Sequence, residues 1–480
     1  MSICTCDILV GNLREGDATS MHTFALTRLL QGQGVDVRIH CNDPVGPLPA
    51  DIQRLAHTTH LDDNVPVADL TILQYPLWYP LAERFRKVPG IKVFWYHGVT
   101  PPALWGTDTQ RDGLTRAEAG TELAWHAHLA VTTSPFTAQE LHRHSHYPQG
   151  RIRIVPLGVD IAAFRQKPPP PALHSLRRKW KLEGKRVLLY TGRVAGNKRI
   201  DLLIQALECL KDMYPDLHLL VVGNTKSTQA YREMTAKLRA QAEQLRLTCR
   251  VTFTGWVPSI VPYYHLAEIY VSASQHEGFG VPLIEAMAAG VPVIASASGA
   301  MPWVLNAQTS DAEAAGLVFP AGDVDALVGQ ITRVLEEPAV RKTLIKRGYH
   351  RVADFSEEQF NHRAAKVLHE AEALARQGPP PAAYRPKNSL YDQADVALRR
   401  YRVRSRVPIL GPLIEWIRYN STTHIKEAYL DRIIEQQVLH NRLLADEIFQ
   451  LKAEITRLRD EWGRDAESDE LAKDNLDDSH

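Results

Sequence analysis

Two carboxylates flank a glycine-rich turn in the segment SQHEGFGVPLIEAMAAGVPVIAS, residues 274–296. A strand is predicted to end near Ser274. A helix is predicted to begin near Pro282, because proline is favoured at the first helical position. The amino end of a helix can bind an anion such as a diphosphate. Glu277 and Glu285 could accept hydrogen bonds from the hydroxyls of a sugar or ribose, or could be an ordinary loop acid and helix acid in solvent.

A second segment, LYTGRVAGNKRID, supplies two cations. A predicted strand leads into Gly192, and Arg193 and Lys198 follow before the next helix. Two cations at the carboxyl end of a strand can neutralise a diphosphate leaving group without a divalent ion. In isolation they could equally be a solvated surface pair. The Asp-x-Asp sequence Asp323 and Asp325 is explained by helix capping, so no metal site is expected.

The elements that must position these residues follow a regular alternation. Short apolar runs alternate with amphipathic helical patterns, which predicts two Rossmann-like α/β domains with parallel, doubly wound sheets. Such sheets bind ligands beyond the carboxyl ends of their strands, where both motifs lie. The strands are predicted at residues 7–10, 35–39, 70–73, 92–95, 129–132, 152–156, 187–190, 217–222, 251–254, 269–272, 291–295 and 316–319.

Two proline-rich stretches mark the predicted domain boundaries. The first contains KPPPP, which we expect to be excluded from helices and central strands, and predicts a stiff linker at residues 168–184. It separates an N-terminal domain, residues 1–167, from a C-terminal domain, residues 185–376. The second stretch, residues 377–386, ends the globular part.

The composition excludes several classes of protein. The chain has 480 residues, of which 44% are hydrophobic, and its net charge is only +1, so there is no reason to expect a nucleic-acid partner. Its five cysteines form no disulfide framework. We find no signal-peptide pattern and no run long enough to cross a bilayer, so we expect a cytoplasmic protein.

The order and spacing of the two motifs resemble those of family-4 retaining glycosyltransferases. These enzymes have the GT-B fold, in which two Rossmann-like domains face a cleft. The matching features are GR followed by K five residues later, and E-x7-E within EGFGVPLIEAMAAGVPVIAS, supported by VPLGVDIAAF and FTGWVP. The resemblance covers roughly residues 7–374. It implies that a helix at residues 355–375 crosses back to the first domain.

The resemblance implies a role for each residue of the C-terminal motifs. Arg193 and Lys198 would bind the diphosphate. Glu277 would bind the hydroxyls of the donor sugar, and Glu285 the ribose, while backbone near Val257 would meet the base. The remaining donor-binding residues of this half would be Gly192, Gly278, Phe279, Gly280 and Val281.

The N-terminal half resembles the family less closely. In the loop REGDATS, Gly16 and Asp17 take the place where such enzymes often carry a double glycine near the diphosphate. His97, in FWYHGVTPP, falls where polysaccharide-building members place a cleft histidine near the C6 hydroxyl of the sugar and the acceptor. Without the resemblance, a lone histidine at a strand end would be interpreted as structural.

The resemblance also implies the reaction. A hexosyl group would pass, with retention and without a metal, from GDP-mannose or a UDP-sugar to a hydroxyl of a glycan or lipid-linked acceptor. The product would belong to a bacterial surface polysaccharide or glycolipid, and no further cofactor is expected. The alternatives are an epimerase or phosphorylase-like enzyme of the same fold, and a non-catalytic GT-B scaffold that organises a glycan-assembly complex through its coiled coil.

The region at residues 377–429 joins basic and apolar residues. Arginines at five positions precede the apolar stretch VPILGPLIEWI. This pattern fits peripheral contact with an anionic membrane, at the inner face of the plasma membrane. It fits a helix packed on the catalytic body equally well. The last segment, residues 463–480, is predicted to be a disordered acidic tail.

A heptad pattern runs through residues 430–462. Isoleucine at a positions, leucine mostly at d positions and the single Asn441 at a favour a parallel coiled-coil dimer. The alternative is one long helix folded back on the body, which the off-seam residues Ile433, Leu439 and Leu443 support. The seam consists of Leu430, Ile434, Gln437, Asn441, Leu444, Ile448, Leu451, Ile455, Leu458 and Trp462.

The heptad predicts a homodimer whose catalysis is largely independent of the tail. An isolated helix would leave the apolar seam in water, whereas a dimer buries it. Sedimentation of the full chain should therefore give a dimer, and a version truncated after Thr423 should give a monomer. If both sediment as the same species, the coiled-coil prediction is wrong.

Overall fold

A computed structural model of the protein describes residues 3–43, 45–104, 108–308 and 312–384. The predicted coiled coil, the acidic tail and most of the basic region lie outside the described residues. The described chain forms two lobes, each built on one parallel sheet. The predicted fold class, two doubly wound α/β domains, is confirmed.

The sheet of the first lobe has seven parallel strands. They are β1 Thr5–Val10, β2 Asp36–Cys41, β3 Ala56–Thr58, β4 Leu70–Tyr75, β5 Ile91–Tyr96, β6 Leu129–Thr132 and β7 Ile152–Ile154. Their order is β3-β2-β1-β4-β5-β6-β7. All but β3 were predicted. With only three residues, β3 is too short to show an alternating pattern.

The sheet of the second lobe has six parallel strands. They are β8 Arg186–Thr191, β9 Leu217–Val222, β10 Val251–Gly255, β11 Ile269–Ser272, β12 Val293–Ser296 and β13 Leu317–Phe319. Their order is β10-β9-β8-β11-β12-β13. In both sheets the direction of winding reverses beside the first strand, which opens a crevice at the carboxyl ends.

Helices connect the strands and cover both faces of each sheet. They are α1 Ala18–Gly32, α2 Ala50–Gln53, α3 Asp108–Ala119, α4 Pro135–Ser145, α5 Ile161–Arg165, α6 Pro170–Lys179, α7 Ile200–Leu210, α8 Gln229–Gln244, α9 Val261–Tyr264, α10 Val281–Ala288, α11 Met301–Val304, α12 Val324–Glu336, α13 Pro338–Arg351 and α14 Glu357–Gln377. None of the helices in the described ranges is both long and apolar enough to span a membrane.

The strands are apolar on both faces because both faces of each sheet are covered. Successive side chains point to opposite faces, so Val93 and Trp95 of β5 join one core cluster while Phe94 and Tyr96 join the other. The same alternation decides which polar side chains reach the crevice.

The prediction that the proline run cannot enter a helix is wrong. Residues 168–184, predicted as a stiff linker, contain α6, whose first turn holds Pro170 and Pro171. Proline fits the first turn of a helix because an N–H group there has no intrahelical acceptor, so its absence breaks no hydrogen bond. Leu173 and Leu182 are buried in a core cluster of the second lobe, so the segment packs as part of that lobe.

The last described helix, α14, packs against the sheet of the first lobe. Phe360, Ala364 and Leu368 are buried in the core cluster that contains β1 and β5. Arg153 Nε, in β7, donates to Glu370 Oε2 at 3.0 Å. The described chain therefore passes from the first lobe through the second and returns to the first.

Candidate active site

The two motif loops of the second lobe leave from neighbouring strands. β8 and β11 pair in parallel, and the strand order reverses between them. The loop after β8 carries the predicted cations, and the loop after β11 carries the glycine-rich turn. Because parallel strands end at the same edge, the loops meet where doubly wound sheets bind ligands.

Lys198 and Glu277 form an ion pair at this edge. Lys198 Nζ donates to Glu277 Oε1 at 2.6 Å, and Lys198 is only 8% exposed. Burial alone would raise the pKa of Glu277, but the charge of Lys198 and hydrogen bonds from Lys198 and Ser274 outweigh it, so the pKa lies below its ordinary value. Glu277 is therefore a carboxylate at neutral pH. The amide of Gln275 donates to Asn197 O at 2.8 Å and joins the two loops.

Glu285, the second carboxylate of the motif, has a different environment. The hydroxyl of Tyr264 donates to Glu285 Oε2 at 2.5 Å and lies 2.7 Å from Thr191 Oγ1. Burial raises the pKa of Glu285 to about 7, although the hydrogen bond from Tyr264 opposes the shift. The two acids of one motif thus differ in pKa, because a lysine faces one and a tyrosine the other.

Arg193 lies at the same edge of the sheet and is exposed. It follows Gly192, whose φ of +142° favours glycine. Partial burial would lower the pKa of Arg193, but Tyr231 and the carboxylates of Asp17 and Glu277 raise it above the usual value. Asp17 belongs to the first lobe, so the guanidinium interacts with both walls of the cleft.

The glycine-rich turn leads directly into α10. Gly280, with a φ of +95°, is the N-cap residue of the helix. Within the described residues, no side chain forms a capping hydrogen bond at that end. Pro282 has no N–H and Leu283 N donates to Gly280 O at 3.0 Å, so the Val281 amide is the one that the first turn leaves available to an anion. Phe279 is 5% exposed and packs against Trp303 and Phe355, so only its backbone can serve a ligand.

The two lobes touch at Gly278. Its carbonyl oxygen accepts hydrogen bonds from Ser134 Oγ at 2.8 Å and Thr133 Oγ1 at 3.3 Å, both from the first lobe. A Cβ atom at position 278 would overlap the carbonyl oxygen of His97. Gly98, with a φ of +89°, faces Gly278 across the junction. Glycine is required here because two backbones meet.

A buried hydrogen bond crosses the junction beside this contact. His276 Nε2 lies 2.8 Å from Glu140 Oε1, and the side chains are 6% and 2% exposed. Removing one partner is costly, because the other polar group stays buried without its hydrogen bond. Since His276 directly precedes Glu277, this contact connects the glycine-rich turn of the second lobe to α4 of the first lobe.

His97 lies at the carboxyl end of β5, next to the glycine-rich turn. Its Nε2 lies 2.6 Å from Gln74 Oε1 on the neighbouring strand β4. Burial lowers the pKa of His97 to about 3. The imidazole is therefore neutral at neutral pH.

The remaining predicted residues lie around the cleft in simpler settings. Asp17 caps α1 by accepting a hydrogen bond from Ser20 N at 3.1 Å. Gly16 has a φ of +80° in the exposed loop before it. Val257 follows β10, is half-buried and packs on a core cluster.

Sequence reasoning missed several residues that support the site. Tyr264 and Glu140 lie outside the motifs, and His276 lies inside one without a recognised role. No local pattern pointed to these residues, since their partners are distant in the chain. Gln74 had a detectable signal: it is a polar residue in LTILQY, an otherwise apolar strand buried along its whole length. A fully buried polar residue at a strand end calls for an explanation.

Comparison with known families agrees with this site. Residues 174–351 match the family model of group 1 glycosyl transferases, and residues 68–163 match that of glycosyltransferase family 4. The first match contains Arg193, Lys198, Glu277 and Glu285, and the second contains His97 but begins after Gly16 and Asp17. The chain belongs to the group 1, family 4 glycosyltransferases. The prediction of a glycosyltransferase is therefore confirmed.

Several relatives resemble this glycosyltransferase over part of their length. It is 28% identical, over 57% of its own chain and 76% of the relative, to a GDP-mannose-dependent alpha-(1-6)-phosphatidylinositol monomannoside mannosyltransferase of Mycolicibacterium smegmatis. It is 31% identical, over 48% and 58%, to the O-antigen chain mannosyltransferase B of Escherichia coli. It spans only half the length of the mannosyltransferase LpcC of Rhizobium leguminosarum, at 31% identity.

Solved structures share the fold of this glycosyltransferase. The HepE protein of Anabaena, in complex with UDP and glucose, matches 76% of this chain and 100% of its own with a TM-score of 0.58 at 17% identity. WaaG, a glycosyltransferase involved in lipopolysaccharide biosynthesis, matches 75% and 99% with a TM-score of 0.58, also at 17% identity. The predicted GT-B fold is confirmed.

Nucleotide binding should strengthen as pH rises through about 7. If Glu285 binds the ribose, as the family resemblance implies, its protonated form accepts fewer hydrogen bonds from the hydroxyls, so the Kd for GDP or UDP should increase by up to about tenfold for each pH unit below 7. Calorimetric titration of the wild type and Glu285→Gln between pH 5.5 and 8.5 measures this. The variant serves as the control for protonation of the phosphates, and parallel profiles for the two proteins would contradict the role of Glu285.

The same raised pKa predicts how the stability of the free enzyme depends on pH. The folded state holds a proton on Glu285 more tightly than the unfolded state does. This contribution to stability is therefore complete below the ordinary pKa of 4.5 and is lost as pH rises through about 7. Between these values, Tm of the wild type should fall more steeply than Tm of Glu285→Gln.

Proposed function

We propose that the protein transfers a hexosyl group from a nucleoside diphosphate sugar to an acceptor hydroxyl in the synthesis of a bacterial surface polysaccharide or glycolipid. One observation carries the proposal. The buried Lys198–Glu277 pair lies beside the uncapped amino end of α10, at the crevice where the two lobes meet. This arrangement offers positive potential to a diphosphate and a carboxylate to sugar hydroxyls within one site.

The diphosphate would be bound by three sources of positive charge. The amide of Val281 and the partial positive charge of the helix end would face it. Arg193 and Lys198 supply two formal charges. Preorganised cations stabilise the charge that develops as the diphosphate departs, which lowers the barrier to transfer.

The hydroxyl-bearing parts of the donor would be bound by the two carboxylates. Glu277 is ionised and positioned by Lys198, so it can accept hydrogen bonds from the sugar. Glu285 would accept hydrogen bonds from the ribose. Backbone near Val257 would contact the base, and the loop of Gly16 and Asp17 would close on the diphosphate from the first lobe.

Transfer would proceed with retention, at the front face of the sugar. The bond from C1 to the diphosphate oxygen breaks, and the bond from C1 to the acceptor oxygen forms on the same face. The proton of the acceptor hydroxyl passes to the departing phosphate oxygen, which balances the step. Glu277 orients the sugar and does not form a covalent bond with it.

GDP-mannose is the donor that we propose first, because relatives at 28% to 31% identity are named as mannosyltransferases, one of them GDP-mannose-dependent. A UDP-sugar is the second candidate. The acceptor would be a glycan or a lipid-linked glycan, which fits an enzyme that contacts the inner face of the plasma membrane peripherally. The scaffold alternative has no support, since Arg193, Lys198, Glu277 and Glu285 lie together in one site.

Replacing Glu277 tests the proposal directly. Glu277→Gln removes the negative charge that Lys198 and the sugar hydroxyls share, so kcat should fall by roughly 100-fold or more. GDP release from GDP-mannose, measured with an acceptor present, reports turnover, and other nucleoside diphosphate sugars follow if this donor is inactive. Glu208→Gln is the matched control, because it breaks a surface Lys–Glu pair, to Lys211, outside the cleft. Near-normal turnover in a folded Glu277→Gln protein would refute the role of Glu277.

Turnover should also survive chelation. Arg193 and Lys198 supply the charge that a divalent ion would otherwise bring to the leaving group. Assays in excess EDTA should therefore give the rate measured without it. If EDTA abolishes turnover and Mg²⁺ or Mn²⁺ restores it, the transfer depends on a metal and this part of the proposal is wrong.

A further inference from the structure

A buried glutamine connects two histidines beside the cleft. Gln74 is 0% exposed, and its Oε1 lies 2.6 Å from His97 Nε2 and 3.2 Å from His22 Nδ1. His22 comes from α1, is 4% exposed, and its ring lies 5.0 Å from the ring of His97. Two histidines, one from α1 and one directly after β5, thus share the amide oxygen of Gln74 on β4.

An amide oxygen only accepts hydrogen bonds, so it determines where the ring protons lie. Each histidine must present an N–H to Gln74, which places hydrogens on His97 Nε2 and on His22 Nδ1. Burial lowers the pKa of His97 to about 3 and that of His22 well below the ordinary value. Both rings are neutral at neutral pH, so each carries one hydrogen and one lone pair.

The lone pair of His97 therefore lies on Nδ1. In the described part of the chain, no hydrogen bond to this atom is found. His97 itself is half-buried at the end of β5, next to Gly278. Nδ1 is thus the ring nitrogen that remains for a ligand, and it can accept a hydrogen bond but cannot donate one.

Stability alone does not explain Gln74. Within the described residues, Gln74 Nε2 and His22 Nε2 are buried without hydrogen-bond partners. The rings of Trp95 and Phe360 surround His22. Burying an unpaired Nε2 destabilises a protein, so what the glutamine contributes here is its oxygen, which serves the two histidines.

We propose that Gln74 is a positioning residue, which holds His97 in the Nε2–H form so that Nδ1 accepts a hydrogen bond from a hydroxyl of the donor sugar or of the acceptor. The inference rests on the proposed glycosyl transfer. His22 completes the arrangement, because its N–H occupies the second lone pair of the same oxygen and keeps the amide from turning.

The proton position can be measured without any substrate. Gln74→Met removes the acceptor at similar volume, so His97 should change from the Nε2–H form to a mixture of both neutral forms. Magic-angle-spinning ¹⁵N spectra of the full chain labelled at histidine distinguish the two forms, and His97→Ala assigns the signal. Gln330→Met is the matched control, since Gln330 has a buried unpartnered oxygen on α12, in the second lobe and outside the motif loops.

Turnover separates positioning from a structural role. In Gln74→Met, kcat should fall about tenfold or more, while KM for the donor changes less than about threefold. Gln330→Met should retain the wild-type kcat. A merely structural role would lower the Tm of Gln74→Met but leave the kcat of its folded fraction unchanged.

Gln74→Glu should add a new ionisation to the kcat profile. A carboxylate also accepts both N–H groups, but its charge favours the imidazolium form of His97 and raises its pKa. The lone pair on Nδ1 is then lost at low pH, so kcat should decrease as pH falls and recover as pH rises. The wild type should lack this limb above pH 5, because its His97 stays neutral there.

Two outcomes would overturn the inference. One is a His97 that remains in the Nε2–H form in Gln74→Met. The other is a changed form with kcat within twofold of the wild type. A wild-type protein without transfer to any acceptor from any donor would count against the proposed function instead, since the spectra do not depend on activity.

Discussion

The close approach of the two lobes at Gly278 is the constraint on which the site depends. The turn that carries Glu277 must touch the backbone of His97, and this contact is possible only because position 278 has no Cβ. Hydrogen bonds from Ser134 to this turn and the buried Glu140–His276 pair hold the contact from the first lobe. Glu277 of one lobe and His97 of the other therefore share one crevice.

Within that crevice, environment gives similar side chains different chemistry. Glu277 and Glu285 belong to one short motif, yet a buried lysine keeps the first ionised, while burial beside Tyr264 raises the pKa of the second to about 7. Under the proposed function, the ionised Glu277 would suit binding of hydroxyls next to a diphosphate. Glu285, which titrates near neutrality, would couple nucleotide binding to pH.

The first lobe contributes through its backbone geometry and through buried polar contacts. β4 and β5 pair so that Gln74 and His97 lie on one face of the sheet, where α1 brings His22 to the same oxygen. Phe360 of α14 packs against His22 and Trp95, so the helix that returns from the second lobe packs directly behind this cluster. A change in the packing of α14 would therefore reach the histidine in the cleft.

The amino-acid sequence by itself determined the alternation of strands and helices, because apolar periodicity is a local property. It also marked Arg193, Lys198, Glu277 and Glu285 as candidate site residues, because their order and spacing resemble those of a known family. It misjudged Pro170 and Pro171, whose effect depends on position within a helix turn.

Only the tertiary structure decided which side chains meet. Glu140 and His276, or Gln74 and His22, are distant in sequence, and no local pattern pairs them. The tertiary structure also decided the charge states of Glu277, Glu285 and His97, because the pKa of a side chain depends on its burial and on neighbours from other elements. The sequence specifies the chemical groups, and folding specifies their partners and their protons.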